Sequence, residues 1–261
     1  MYKGLVLCGG GTKCISILGY LQHLMTLGHL DNLESISACS AGAYIAVLYI
    51  LGIKPIEMLD LLPNENITID MEHLLQLSVR KGLYRIKKYT KAFKKIVREK
   101  LQLSNPTIRD LYIYSGIDLY IYMCDFTNNN EVYINHKTHP DYPLLDVVYA
   151  SSSIPIVFVP IKINNIKYID GGIITSIPLA PLNKPDTIIL NSRNNKDENT
   201  LLNYILKLLN TGQQIRQKAD LTTFVGKYIC INSNLGLLDF KSDFMTEFLS
   251  GWNQYDVNHF Q

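Results

Sequence analysis

Apolar residues are placed along this chain in two alternating forms. Leu5 to Cys8 is a continuous apolar run, Gly9, Gly10 and Gly11 interrupt it, and Ile15, Leu18, Leu21, Leu24 and Met25 then recur at helical spacing until Gly28. This predicts a buried strand, a glycine turn and a helix. The unit then repeats: Leu33 to Ala38 predicts a second strand, a small-residue turn follows, and an all-apolar helix runs from about Gly42 to Leu51. Two strand-turn-helix units in succession call for parallel strands joined by right-handed crossovers, and so for an α/β sandwich.

Beyond Pro55 the pattern becomes polar and Asn-rich, around Asn64 to Thr68, and then strongly basic from Arg80 to Lys100. Within the basic segment Tyr89, Ala92, Phe93, Ile96, Val97 and Leu101 fall on one side of a helix. Leu119 to Cys124, Glu131 to Asn135, Val157 to Ile163 and Lys167 to Ile169 have strand character, with Asn128, Asn129 and Asn130 as a hairpin turn. Thr187 to Leu190 and Tyr228 to Ile231 predict further strands, a helix is expected over Leu201 to Gln217, and the end of the chain around His259 reads as a polar tail.

A length of 261 residues, 47% apolar and 18% charged, suits one globular domain over 1–261 with a single large core. The longest apolar run, Ala43 to Ile53, is far short of the roughly 20 residues that span a bilayer, so no transmembrane segment is expected. Met1, Tyr2 and Lys3 lead straight into the first strand without the layout of a secretory leader. Cys8, Cys14, Cys39, Cys124 and Cys230 are odd in number and widely spaced, without metal-ligand spacing. They read as reduced core residues, the location is expected to be cytoplasmic, and no metal or cofactor is expected.

Three turns carry chemistry. Gly9-Gly10-Gly11-Thr12-Lys13 lies between a strand and a helix, where consecutive glycines let several N–H groups point into one concavity beside a helix N-terminus. Such a nest holds a phosphate or a developing oxyanion. The dinucleotide pattern fails because Cys14 stands at its third glycine, and the Walker A pattern fails because Gly-Lys-Ser/Thr is absent. Ala38-Cys39-Ser40-Ala41-Gly42 has the form of a nucleophile elbow, a serine flanked by small residues between strand and helix. Cys39 is a rival nucleophile, but the residue before an elbow serine points inward, and an apolar setting raises a thiol pKa. Tyr168-Ile169-Asp170-Gly171-Gly172 ends a strand in a carboxylate followed by glycines, a pattern that also serves as a plain Asp-Gly turn.

Together, and in this order, the three turns resemble the patatin-like phospholipase family. Asp146 to Pro160, Asn105 to Leu111 and Met123 to Thr127 are similar to further family segments, so the resemblance spans roughly Leu5 to Pro181. It departs at Cys14, where the family has glycine after the basic residue, and at Ala38, the first elbow glycine. The resemblance implies a three-layer α/β/α sandwich with a mainly parallel central sheet. It also implies a phospholipase A type of ester hydrolysis, with Ser40 and Asp170 as a catalytic dyad and Gly9, Gly10, Gly11 and Lys13 forming the oxyanion loop. Lys13 either braces that loop or is a solvated lysine at a helix start. The implied substrate is a phospholipid or another lipid ester. A catalytically silent lipid-binding module is the alternative.

A histidine triad is disfavoured, because His259 stands in the expected tail and His136 and His139 in an expected exposed loop ahead of Asp170. Arg80 to Lys100 holds ten basic residues and one acid, a balance of +9 in a chain whose net charge is +2, which leaves −7 on the remainder. This segment is therefore expected either to make peripheral contact with an anionic membrane or to pack as an amphipathic helix with a solvated basic face, and no nucleic-acid partner is expected.

Overall fold

The fold is taken from a computed structural model that describes residues 1–62, 77, 80–194, 201–240 and 242–259. The Asn-rich stretch around residues 64–68 lies outside them. The first two units form as the pattern requires: β1 (Gly4–Leu7), helix α1 (Cys14–Thr26), β2 (Ser35–Cys39) and helix α2 (Ala41–Ile50). Strands β4 (Asp118–Asp125), β5 (Asn130–Ile134), β7 (Ile161–Ile163), β8 (Ile166–Asp170), β9 (Thr187–Arg193) and β10 (Lys227–Asn232) complete an eight-stranded sheet. Its order is β10-β9-β1-β2-β4-β8-β7, with β5 paired to β4. The strands from β10 to β4 run parallel, whereas β5, β7 and β8 join antiparallel. Helices lie on both sides of this mostly parallel sheet.

Strand β1 sits in the middle, paired to β2 on one edge and β9 on the other. Both of its faces are covered, which is why it reads as an unbroken apolar run. Leu5 and Leu7 join the larger core with Ile36, Ala38, Ile188 and Leu190, while Val6 turns to the opposite face with Ile177, Leu179 and Ile189.

Strand β4 decides where the chemistry sits. Ile121 and Tyr122 pair with β2 and β5 at once, so those two strands lie on opposite edges of β4. Met123 to Asp125 pair with β5 and β8, so β8 also lies opposite β5. Strands β2 and β8 therefore share one edge of β4 and meet head to head, Cys39 opposite Tyr122 and Asp170 opposite Met123. A parallel strand and an antiparallel strand thus end at neighbouring positions, and the residues that leave them, Ser40 and Asp170, are brought together.

Several elements differ from the sequence expectation. Val157 to Ile163 divides into β6 (Ile156–Phe158) and β7 at Pro160, which has no N–H for a ladder. The basic segment is not helical throughout: β3 (Gly82–Tyr84) pairs with β6, and the helix proper is α3 (Lys91–Leu101). Helices α4 (Ile108–Ser115) and α5 (Leu144–Ser151) occupy stretches with no predicted element, and α6 (Leu201–Thr222) outruns its predicted end. The expected polar tail is helix α7 (Phe244–His259), whose Phe248 and Tyr255 are buried. The Tyr255 ring stacks on His23 of α1 at 4.2 Å between centroids. Sparse but correctly placed aromatic anchors hold this polar helix down.

Candidate active site

Ser40 caps the N-terminus of α2 with φ 55° and ψ −127°, a conformation that strains a residue with a side chain. The strain holds the hydroxyl out of the turn. Gly42 makes the turn possible, because a Cβ there would come within 2.4 Å of the Leu7 carbonyl oxygen. The backbone N–H of Ser40 donates to Ser151 Oγ at 2.9 Å, and Ser151 Oγ donates to the Tyr122 carbonyl at 2.7 Å. Asp170 is fixed from the same segment, its N–H donating to the Ser153 carbonyl at 3.0 Å. The end of α5 thus ties both halves of the β2/β8 junction. No local motif marks these serines, although Ser151, Ser152 and Ser153 in succession where a mostly apolar helix ends are the signal that finds them.

The consequence is a short hydrogen bond, with Ser40 Oγ donating to Asp170 Oδ2 at 2.6 Å. Ser40 is 6% exposed and Asp170 3% exposed. The second carboxylate oxygen accepts the Gly172 N–H at 2.7 Å and the more distant Cys39 thiol at 3.7 Å. Burial pushes the Asp170 carboxyl up to about 6, against the downward pull of the bonds from Ser40, Gly172 and Cys39. Cys39 is driven the other way from reactivity: burial, and then the Asp170 charge, raise its thiol well above the ordinary range.

Gly9 to Lys13 pass beside Ser40. The Gly9 N–H donates to the Ser176 carbonyl at 3.2 Å, so that amide is not available to a ligand, and the role of Gly9 is spatial: a Cβ there would stand 3.1 Å from Ser40 Cβ. Gly10 and Gly11 open a short 3-10 turn, where leading N–H groups have no partner inside the turn. Gly11 has φ 56°, and a Cβ on it would strike the Leu237 carbonyl. Thr12 secures the loop by donating its N–H to Leu237 O at 3.0 Å and its hydroxyl to Gly236 O at 2.7 Å. Residues 236–239 thus brace the loop from a part of the chain that carries no motif. Lys13 is half-buried at the edge of the cleft, and burial lowers its pKa, so it is not a solvated lysine. Cys14 lies beneath the loop with its thiol pushed up to about 12 by burial.

Two cavities meet at Ser40. A larger cleft of about 470 Å³ has a mixed lining, with Lys13, Asp170, Ser192 and Gln217 beside Ile173 and Leu221. An apolar pocket of about 180 Å³ lies on the other side, lined by Ile15, Leu18, Ile45, Leu48, Met58 and Phe93 together with Gly11 and Ser40. The histidines are elsewhere. His136 stacks on Tyr112 at 3.6 Å between centroids with Nδ1 2.8 Å from Asp118 Oδ1, so it is packed rather than exposed, and His139 is partly buried beside Tyr142. The His259 side chain lies outside the described residues. Among the described residues no group of three or more His, Cys, Asp or Glu is arranged to hold a metal ion, and no helix is long and apolar enough to cross a membrane.

Residues 5–183 match the family described as patatin-like phospholipase. The chain belongs to that family. Over 182 residues it is 30% identical to the probable lipid hydrolase 463L of Invertebrate iridescent virus 6, an alignment that covers 68% of this chain and 62% of that protein's length. Its fold is similar to that of VipD from Legionella pneumophila, with a TM-score of 0.59 at 19% identity over 97% of this chain and 66% of VipD. ExoU of Pseudomonas aeruginosa, solved with SpcU, aligns at a TM-score of 0.51 and 20% identity over 98% of this chain and 50% of its own. The patatin-like match ends at residue 183, whereas the likeness to VipD and ExoU extends over nearly the whole chain and so takes in β9, β10, α6 and α7.

Proposed function

We propose that this patatin-like chain is a lipid acyl hydrolase of phospholipase A type that works through Ser40 and Asp170. The 2.6 Å bond between Ser40 Oγ and Asp170 Oδ2 carries the reading, since it joins a strained hydroxyl to a buried base with its other oxygen already held. Ser40 Oγ attacks the ester carbonyl while its proton passes to Asp170. The tetrahedral oxyanion is stabilised by the N–H groups of Gly10 and Gly11 and by the positive end of α2. As the C–O bond breaks, Asp170 returns the proton to the departing alcohol. Asp170 then takes a proton from water, which attacks the acyl-serine, and the proton goes back to Ser40 Oγ as the fatty acid leaves. The apolar pocket suits the acyl chain. The larger cleft of mixed lining, with Lys13 at its edge, suits the glycerol and head group.

The probable lipid hydrolase of the iridescent virus supports the substrate class. Docking to an anionic bilayer is proposed for the basic face of α3, by charge alone: Phe93 and Val97 are buried in the core, so the apolar side of this helix is not offered to lipid. Labelling by a fluorophosphonate, with fatty-acid release from phospholipid vesicles, tests the mechanism. Ser40→Ala is expected to lose both, whereas Cys39→Ala is expected to be labelled. Turnover by the Ser40 variant and its loss in the Cys39 variant would reverse the assignment, and a wild-type protein that is neither labelled nor active would favour the silent lipid-binding module.

A further inference from the structure

The apolar pocket beside Ser40 has a direction and an end. Helices α1 and α2 follow the parallel neighbours β1 and β2, so both start close to the reacting oxygen and run away from it. Ile15 and Leu18 line the pocket from α1, and Ile45 and Leu48 from α2. Among the described residues, none further along either helix than those two leucines reaches it. Met58 stands at the far end. The short 3-10 turn that carries it, Glu57–Leu61, follows α2, and its entry is pinned about two turns along α1, where the Ile56 N–H donates to Gln22 Oε1 at 3.4 Å. Met58 is 3% exposed and packs into the core, so it closes the pocket as a fixed wall.

The length of the pocket follows from the helix beside it. From Ser40 to Leu48 the chain advances 48 − 40 = 8 residues, about 12 Å at the helical rise. A fully extended chain covers about 3.3–3.6 Å over three backbone bonds, or about 1.2 Å per carbon, so this length takes about ten carbons. The volume sets a lower figure, since about 180 Å³ holds about six groups of the size of a water molecule, roughly 30 Å³ each. We propose that this pocket sets the acyl-chain selectivity of the enzyme: it buries about the first six to ten carbons of the acyl chain, and Met58 fixes that limit. The substrate class is thereby narrowed from lipid esters in general to esters recognised through a medium-length acyl segment, preferred over short ones and with nothing gained from further carbons. The larger cleft cannot make the same selection, because Lys13, Ser192 and Gln217 interrupt its apolar lining. The inference rests on the hydrolase reading above.

The test uses the full-length protein and p-nitrophenyl esters with acyl chains from about four to about twelve carbons, each kept below the concentration at which it aggregates. Values of kcat/KM are normalised to the shortest ester in the same protein, so that any general effect of a substitution on turnover cancels. The wild type is expected to gain about fourfold for each methylene moved from water into the pocket, until the chain has about six to ten carbons, and then to level off. Met58→Ala removes the side chain beyond Cβ from the closed end and is expected to carry the rise about two to three carbons further. Ile45→Phe fills the pocket nearer Ser40 and is expected to end the rise sooner, so the test does not hang on one variant folding. A rise unbroken to the longest ester, no rise at all, or a break at the same length in all three proteins overturns the proposal. Fluorophosphonate labelling of Ser40 in the same samples shows separately whether the hydrolase reading stands. Were the protein catalytically silent, thermal stabilisation by free fatty acids of the same lengths replaces the rates. Stabilisation that levels off in the wild type and levels off later in the Met58 variant supports the limit, and stabilisation that climbs alike in both overturns it.

Discussion

Asp170→Asn is expected to destroy activity and to make the protein more stable. An aspartate whose folded pKa is about 6 against an ordinary 3.8 is one that the native state prefers to keep protonated. Between those two pH values the folded chain binds more protons than the unfolded one, so this group costs stability progressively as pH rises from about 4 to about 6, and the full cost persists above that window. At about 1.4 kcal/mol for each pH unit of separation, the cost near pH 8 is about 3 kcal/mol. Asp170 is 3% exposed, so solvent screening does not reduce the figure much. Asparagine removes the charge but keeps an acceptor for the Gly172 N–H, and its amide can donate to a Ser40 oxygen whose own proton has turned away. The net gain is therefore expected to be about 2–3 kcal/mol at pH 8, or roughly 5–10 °C in Tm for a chain of this size, shrinking toward zero at pH 4. Urea titrations of wild type and variant at the two pH values, with unchanged m, measure it. A variant no more stable than wild type at pH 8, or a gain equally large at pH 4, would refute the claim that burial holds this carboxylate in an unfavourable charge state.

Three further outcomes are expected. The rate on a soluble ester should fall as pH drops through about 6, because the base must be ionised, and His136→Ala and His139→Ala should keep the same profile; a required histidine would show as an inactive variant. Ser151→Ala, which removes the acceptor of the Ser40 N–H and the donor to Tyr122 O, should lower kcat roughly tenfold and slow fluorophosphonate labelling while KM changes little, consistent with about 1–3 kcal/mol for each stranded polar group; an unchanged labelling rate would remove Ser151 from positioning. Lys91, Lys94 and Lys100 changed together to Glu should abolish salt-sensitive sedimentation with anionic vesicles and spare soluble-ester hydrolysis. Lys87 is left intact because it pairs with Asp146 at 2.6 Å. Binding to neutral and anionic vesicles alike would leave α3 only its packing role.

The first half of the fold was legible because its central strands are covered on both faces and its helices are apolar along most of their length, so Leu5 to Cys8 and Gly42 to Leu51 declare themselves. Elements held by few anchors did not. Helix α7 has a polar composition, and what keeps it helical is Phe248 and Tyr255 set against α1, contacts between residues more than two hundred positions apart. Helix α5 was hidden by Ser151, which looks like a breaker beside two more serines but donates into the neighbouring strand. The two-sided use of β4 was also out of reach, since a strand's sequence does not say that its neighbour changes part-way along one edge.

That change of neighbour explains why Ser40 and Asp170 could be picked from their own turns while their supports could not. Each bears a local mark: a strained elbow needs small residues around its serine, and a carboxylate reached by backbone N–H groups needs glycine after it. Their meeting is a property of the sheet, fixed where β2 and β8 end at Tyr122 and Met123. The residues that hold the junction have no need of a distinctive type. Ser151 requires only a hydroxyl in reach of one N–H and one carbonyl, Ser153 contributes its backbone carbonyl, and Leu237 does the same for the glycine loop. Backbone contributions of this kind tolerate many side chains, so a site whose reacting groups are chemically conspicuous can rest on a frame whose sequence is not.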